Sequence, residues 1–176
     1  MKKLGLCCLV VLLGVSCNLK EKEKASVITT YFDLAGYFKK EAIRLSKENP
    51  SLNKTVFING KEEQKNINIK NWEQEFKSFI DADINKASWK GSFNIAKSGG
   101  QTTYTSHSDK IPVKKLEVSL ENNRLTSIKV YITNVNDLYT SQDSLSYYPD
   151  SVYKIKKTQH IKLMATRQYS ITGKFK

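Results

Sequence analysis

Hydrophobic positions change period once along this chain, from helical to alternating, and that change divides it. Ile28, Tyr31, Ala35, Phe38, Ala42 and Leu45 recur at spacings of three and four, which predicts one core-facing helical stripe. Lys39, Lys40, Glu41, Arg44 and Lys47 fall mostly on the other side, and Asn49-Pro50 ends the element. Thr55 to Ile58 is β-branched and aromatic. Asn59-Gly60 then supplies the positive φ angles of a type I′ turn, so a hairpin returns through the polar run Lys61 to Lys65 as an edge or a loop. Asn71 can cap a second helix, with Gln74 three residues on as in a capping box. Its buried face is Trp72, Phe76, Phe79, Ile80 and Ile84, and it ends before Gly91.

From Trp89 the period is two. Phe93 and Ile95 open the alternation, Ser98-Gly99-Gly100 turns, and Thr102 to Thr105 returns. Leu116, Val118 and Leu120 form the next strand, Asn122-Asn123 turns, and Ile128, Val130 and Ile132 follow. Leu138 to Tyr147 is a weaker strand punctuated by Pro149-Asp150. Val152 to Lys157 then leads through a short turn into Ile161, Leu163, Ala165, Tyr169, Ile171 and Phe175. Half-buried antiparallel strands alternate in this way. The fold class expected is α+β, with two N-terminal helices packed on a curved antiparallel β-sheet meander.

The first residues change the picture. Lys2 and Lys3 precede an uncharged apolar run from Leu4 to Val15, shorter than the roughly 20 residues a spanning helix needs. Gly14 and Ser16 then bring the chain to Cys17. Leu13-Gly14-Val15-Ser16-Cys17 resembles the lipobox of bacterial lipoproteins, with Gly14 standing where Leu, Val or Ile is usual. The resemblance covers the leader alone. It implies a signal peptide over residues 1–16, a diacylglyceryl group on the Cys17 thiol and a tether over residues 17–24. Residues 25–176 form one domain. Asn18 stands where an inner-membrane retention signal would have Asp, so the resemblance implies the outer membrane, with the periplasmic face favoured over the cell surface.

Cysteine use fits an exported chain. Cys7, Cys8 and Cys17 are its three cysteines, so the mature domain has no disulfide and is held by its core. The formal net charge is +12, about +10 without Lys2 and Lys3. In an exported protein that charge points to anionic lipid, glycan or an acidic outer-membrane protein rather than to nucleic acid.

No catalytic residues and no cofactor are expected. Ser106-His107-Ser108-Asp109 has the residue types of a hydrolase triad, but neighbours in one loop cannot converge as a triad must. Asp81-Ala82-Asp83-Ile84-Asn85 opens like a calcium loop yet lacks the following Gly and the distal Glu. With His107 and His160 the only histidines, no zinc site is expected. The features left are surfaces. Lys154, Lys156, Lys162 and Lys174 are expected on one outward side of the last two strands, a face for anionic groups or an edge protected by lysines. Arg167 falls on the inward side, as a buried ion pair or ligand contact. Tyr139, Tyr147, Tyr148 and Tyr153 gather near Pro149 as interface aromatics. Asp143-Ser144-Leu145 and Asp150-Ser151-Val152 resemble the Asp-Ser/Thr-apolar acceptor of the O-glycosylation system of Bacteroidetes, which makes Ser144 and Ser151 candidate glycan sites.

These features predict an outer-membrane-anchored lipoprotein with a non-catalytic envelope-binding or accessory domain. The alternatives are a lipid or glycolipid carrier, and a glycan hydrolase using carboxylates such as Asp33, Glu62, Asp81 or Asp83. Cys17→Ser is expected to leave the protein unacylated and to release it from membranes; fractionation of that variant checks it, and continued retention would refute the anchor.

Overall fold

Asp33 sets the start of the first helix, which the spacing of apolar residues alone would begin earlier. The computed structural model describes residues 30–176, and Ile28 of the stripe and the whole leader through Cys17 lie outside them. Helix α1 runs over Leu34–Glu48. The Asp33 carboxylate accepts from the Gly36 N–H at 2.8 Å, and Asn49 closes the other end in the left-handed region at φ 47. Leu34, Phe38, Ala42 and Leu45 are buried. Glu41 is buried with them, contrary to its expected place on the polar side, because a buried tyrosine and Arg44 receive its carboxylate.

Strands β1 (Ser51–Ile58) and β2 (Lys61–Asn68) form the expected hairpin, with Asn59 at φ 47 and Gly60 at φ 91 in the turn. Asn71 caps the next segment, accepting from the Gln74 N–H at 2.9 Å. The single second helix is corrected. It breaks at Phe76 into α2 (Trp72–Glu75) and α3 (Lys77–Asp81), followed by a 3-10 turn over Ala87–Trp89. Side chains win over helix here: Asp83 accepts from the backbone and amide N–H groups of Asn85, and Asn85 accepts from the Tyr31 N–H at 2.9 Å. Ile84 is nevertheless buried, from a loop instead of a helical face.

The remaining chain is a run of hairpins: β3 (Phe93–Ser98), β4 (Gln101–Ser106), β5 (Val113–Glu121), β6 (Arg124–Val135), β7 (Tyr139–Tyr148), β8 (Val152–Ile161) and β9 (Arg167–Phe175). All nine strands join one antiparallel sheet in the order β2-β1-β9-β8-β7-β6-β5-β4-β3. The protein is therefore mainly antiparallel β with a few helices. The last strand is inserted beside the first, Leu52 pairing with Phe175 and Val56 with Ile171. Polar β2 blunts one edge, every residue but Ile67 being exposed. The turn expected inside 158–160 is instead at 162–166, since β8 continues to Ile161; Leu163 belongs to no strand and sits at φ 63.

Side chains of the helices pack against part of one face of the sheet. Leu116, Val118, Ile128, Val130, Leu145 and Tyr147 are among the strand residues beneath them. The centre is aromatic: Phe38 stacks on Phe79 at 4.4 Å and meets Phe76 and Tyr147 edge-on at 5.0 and 5.2 Å. Tyr147 and Tyr153 are register partners on β7 and β8, and each donates to a helix carboxylate. Tyr147 donates to Glu41 of α1, and Tyr153 to Glu75 of α2 at 2.6 Å. Arg44 and Lys54 supply the counter-charges, at 2.5 Å from Glu41 and 2.7 Å from Glu75. Among the described residues this core runs from Tyr31 to Phe175.

Two predictions follow from this packing. Gly173 lies under Tyr153, and a Cβ there would stand 2.1 Å from the ring. Gly173→Ala is expected to destabilise by about 2–3 kcal/mol, the scale of core overpacking, as read by chemical denaturation. Burial first, then the Glu41 hydrogen bond, pushes the Tyr147 phenol far above its ordinary 10.0; for Tyr153 burial comes first, then the Glu75 charge. A raised folded value means their stabilisation is complete below about pH 10 and declines above it, where the unfolded phenols ionise first. Melting temperature should fall steeply above pH 10 in the native chain, and less so in Tyr147→Phe.

Candidate binding site

Past the aromatic centre, toward the β6–β7 and β8–β9 turns, the same sheet face turns polar. Parity shows why. Ser141, Asp143, Leu145 and Tyr147 point one way on β7, and Lys157 of β8 and Tyr169 of β9 follow in the same cross-strand rows. The α3 segment and the 3-10 turn reach over this end without filling it. They leave an open cavity of about 300 Å³, at the small end of ligand pockets.

Ile132, Leu145 and Ile155 make an apolar floor, and Trp89 and Tyr169 stand in the walls. Lys86 lies over the Trp89 ring, its ammonium 4.2 Å from the centroid. The unusual group is Asp143. Its Oδ1 is buried and has no hydrogen-bond partner among the described residues. Its Oδ2 stands 3.6 Å from the Lys157 ammonium, too far for a hydrogen bond. A buried carboxylate oxygen left unpaired costs stability, so this pocket wall carries a strong acceptor that a donor-bearing ligand would satisfy. Asn134 beside it is already engaged, donating to Ser141 at 3.2 Å.

The structure distributes the sequence candidates differently from their expected grouping. Lys154, Lys156 and Lys174 do share the outer sheet face, away from the helices, where Lys129 joins them through the Lys129–Ser146–Lys154 row. Lys162 does not; it lies in the β8–β9 turn. Arg167 is exposed at the start of β9, so its expected burial is corrected: the displaced turn puts it at a strand end. Tyr147 and Tyr153 are core residues with their hydroxyls engaged inside, and cannot form an exposed platform. Tyr148 is half-buried by the Pro149 turn, while Tyr139 is at the opposite end of β7. Ser151 is in an exposed turn, but Ser144 is mid-strand and half-buried, flanked by Tyr131 and Lys156.

The carboxylates weighed for hydrolysis are engaged or dispersed: Asp33 caps α1, Asp81 pairs with Lys77 at 2.9 Å, Asp83 holds Asn85, and Glu62 is exposed on β2. His107 is exposed, and His160 Nδ1 lies 3.2 Å from Thr166 Oγ1. No cluster of three metal-binding side chains occurs among the described residues, and no helix there is long and apolar enough to cross a membrane.

Sequence reasoning overlooked Asp143 and Lys157 as a site. The signal was present: Asp143 occupies an inward parity position with Leu145 and Tyr147, where an apolar residue is ordinary. Comparison with protein-family models, curated protein sequences and solved structures finds no match.

Proposed function

We propose that this chain is a lipid-anchored, non-catalytic binding protein of the bacterial outer membrane, facing the periplasm. In this reading the helices pack on a curved antiparallel sheet and leave one end of its inner face open for a ligand or for a segment of an envelope partner. The observation that supports it is the buried, unpaired Asp143 oxygen at the wall of the 300 Å³ pocket. Fixed donors and acceptors in an otherwise apolar pocket confer specificity. The ligand expected is compact, with an apolar face for Ile132, Leu145 and Ile155 and an N–H or O–H group for Asp143. The lysines of the outer face add long-range attraction for anionic lipid, glycan or an acidic partner protein.

A second reading, a lipid or glycolipid carrier, draws support from the apolar pocket floor. The aromatic rings of the core, however, occupy the space an acyl chain would need beneath the helices. A glycolipid headgroup or a single short chain is the larger ligand this volume suits.

The test is purification of the tagged full-length protein from native membranes in mild detergent, with bound proteins and lipids both identified. Asp143→Leu is the matched variant. Lys157 is exposed enough to rehydrate, and replacing an unsatisfied buried carboxylate by an apolar side chain tends to be neutral or stabilising. The variant is expected to melt no lower than the native chain and to lose its co-purifying ligand. Retention of the same ligand by Asp143→Leu would remove the pocket from the proposal.

A further inference from the structure

At one end of the sheet the chain exposes leucines where its own local chemistry asks for something else. Outside glycine, the positive-φ positions among the described residues are Asn49, Asn59, Asn122, Asn123, Asp150 and Leu163. Five of these six are Asn or Asp, which tolerate the left-handed region. Leu163 is the exception, and it is fully exposed. Neither backbone preference nor hydration selects leucine there.

Leu163 is not alone. The β8–β9 turn that holds it is hydrogen-bonded to the β6–β7 turn, the Lys162 N–H donating to the Leu138 carbonyl at 3.1 Å. The two linked tips present Val135 (73% exposed), Leu138 (72%), Met164 (50%) and Leu163 as one apolar edge. Ile58 and Tyr169, register partners on β1 and β9, continue it along the sheet end. Backbone bonding between the tips fixes this edge in advance of any contact.

The place where the described chain begins bears on what the edge meets. Tyr31, at the start of the described chain, packs edge-on against Phe93 at 5.3 Å and Tyr104 at 5.9 Å. Phe93 opens β3 and Tyr104 is near the end of β4. In an antiparallel sheet of this order, that is the same end as the β6–β7 and β8–β9 turns. The described chain therefore begins at the end that carries the exposed leucines. Thirteen residue steps separate Cys17 from Thr30, at most about 45 Å of chain. Lys162 and Arg167 flank the tip, Lys61 opens β2 and Lys110 stands in the β4–β5 loop at the same end, against Glu62, Asp109 and Asp137.

We propose that the linked β6–β7 and β8–β9 tips insert Leu138, Leu163 and Met164 into the headgroup–acyl boundary of the bilayer that holds the Cys17 anchor, orienting the domain with its pocket mouth toward the membrane. Apolar side chains ringed by cations favour such an interface. The inference extends the lipid-anchor reading, and its test is arranged to stand apart from it.

The chain from Asn18 to Lys176 contains every core residue among the described residues and no native cysteine. Leu163→Cys, or Asn123→Cys at the opposite end, then gives one site for an environment-sensitive fluorophore. With vesicles of phosphatidylethanolamine and phosphatidylglycerol, emission from position 163 is expected to shift to the blue and that from 123 to stay water-like. The double variant Leu138→Asn/Leu163→Asn should lose about ten-fold or more in vesicle flotation while melting no lower, since asparagine suits the left-handed turn. Water-like emission at 163 under saturating lipid would overturn the insertion. So would a dimer in solution that disappears in the double variant, because a second copy would then be the occupant. Since this chain lacks Cys17, either result leaves the anchor to be judged by Cys17→Ser.

Discussion

Two buried phenols hold the helical layer to the sheet. Tyr147 and Tyr153 sit opposite one another on central strands, and each hands its proton toward a glutamate from a different helical segment. A carboxylate this deep is costly unless it is paired and fully hydrogen-bonded. Glu41 meets that condition through Arg44 and Tyr147, and Glu75 through Lys54 and Tyr153. The arrangement is directional as well as stabilising. Aromatic packing alone would allow α1 and α2 to slide over the ring cluster; two fixed phenol–carboxylate contacts at adjacent positions allow one placement. Gly173 is part of the same device, because only a bare backbone lets the Tyr153 ring lie flat against β9.

That placement divides the inner face. Where the phenols anchor the helices, the face is sealed with rings; beyond them it keeps Asp143, Lys157 and an apolar floor in an open hollow. Asp143 lacks the partners that Glu41 and Glu75 have, although all three carboxylates point to the same side of the sheet. The contrast between satisfied and unsatisfied carboxylates separates the sealed part of the face from the open hollow. The pocket and the exposed leucine tips also share one end of the molecule with the start of the described chain.

Much of the β structure was legible because its turns carry local chemistry. Asn59-Gly60, Gly99-Gly100 and Asn122-Asn123 turn where positive φ is affordable to the residue type. Asn71 was legible as a cap for the same kind of reason, since its side chain needs only the next few residues. The failures have a common cause in long-range contacts. Glu41 reads as solvated until a tyrosine from β7 is placed above it, and Tyr147 reads as an interface residue until that glutamate is known. The β8–β9 turn escaped notice because it lacks a glycine or asparagine: Ile161, Leu163 and Ala165 continue the strand rhythm straight through it. The residue that hid the turn is the one that makes its tip apolar.

The neighbourhood of β1 and β9 has a consequence for biogenesis. Leu52 finds Phe175, and Lys54 finds Gly173, only when the C-terminal strand has arrived. Before that, the first hairpin has no partner in the sheet, and Lys54 and Glu75 lack the Tyr153 shelf backed by Gly173. Pairings between distant parts of a chain form late, because loop closure precedes their reward. The amino-terminal half of the sheet therefore stays incomplete during folding and tightens only when the carboxyl-terminal strand docks beside β1.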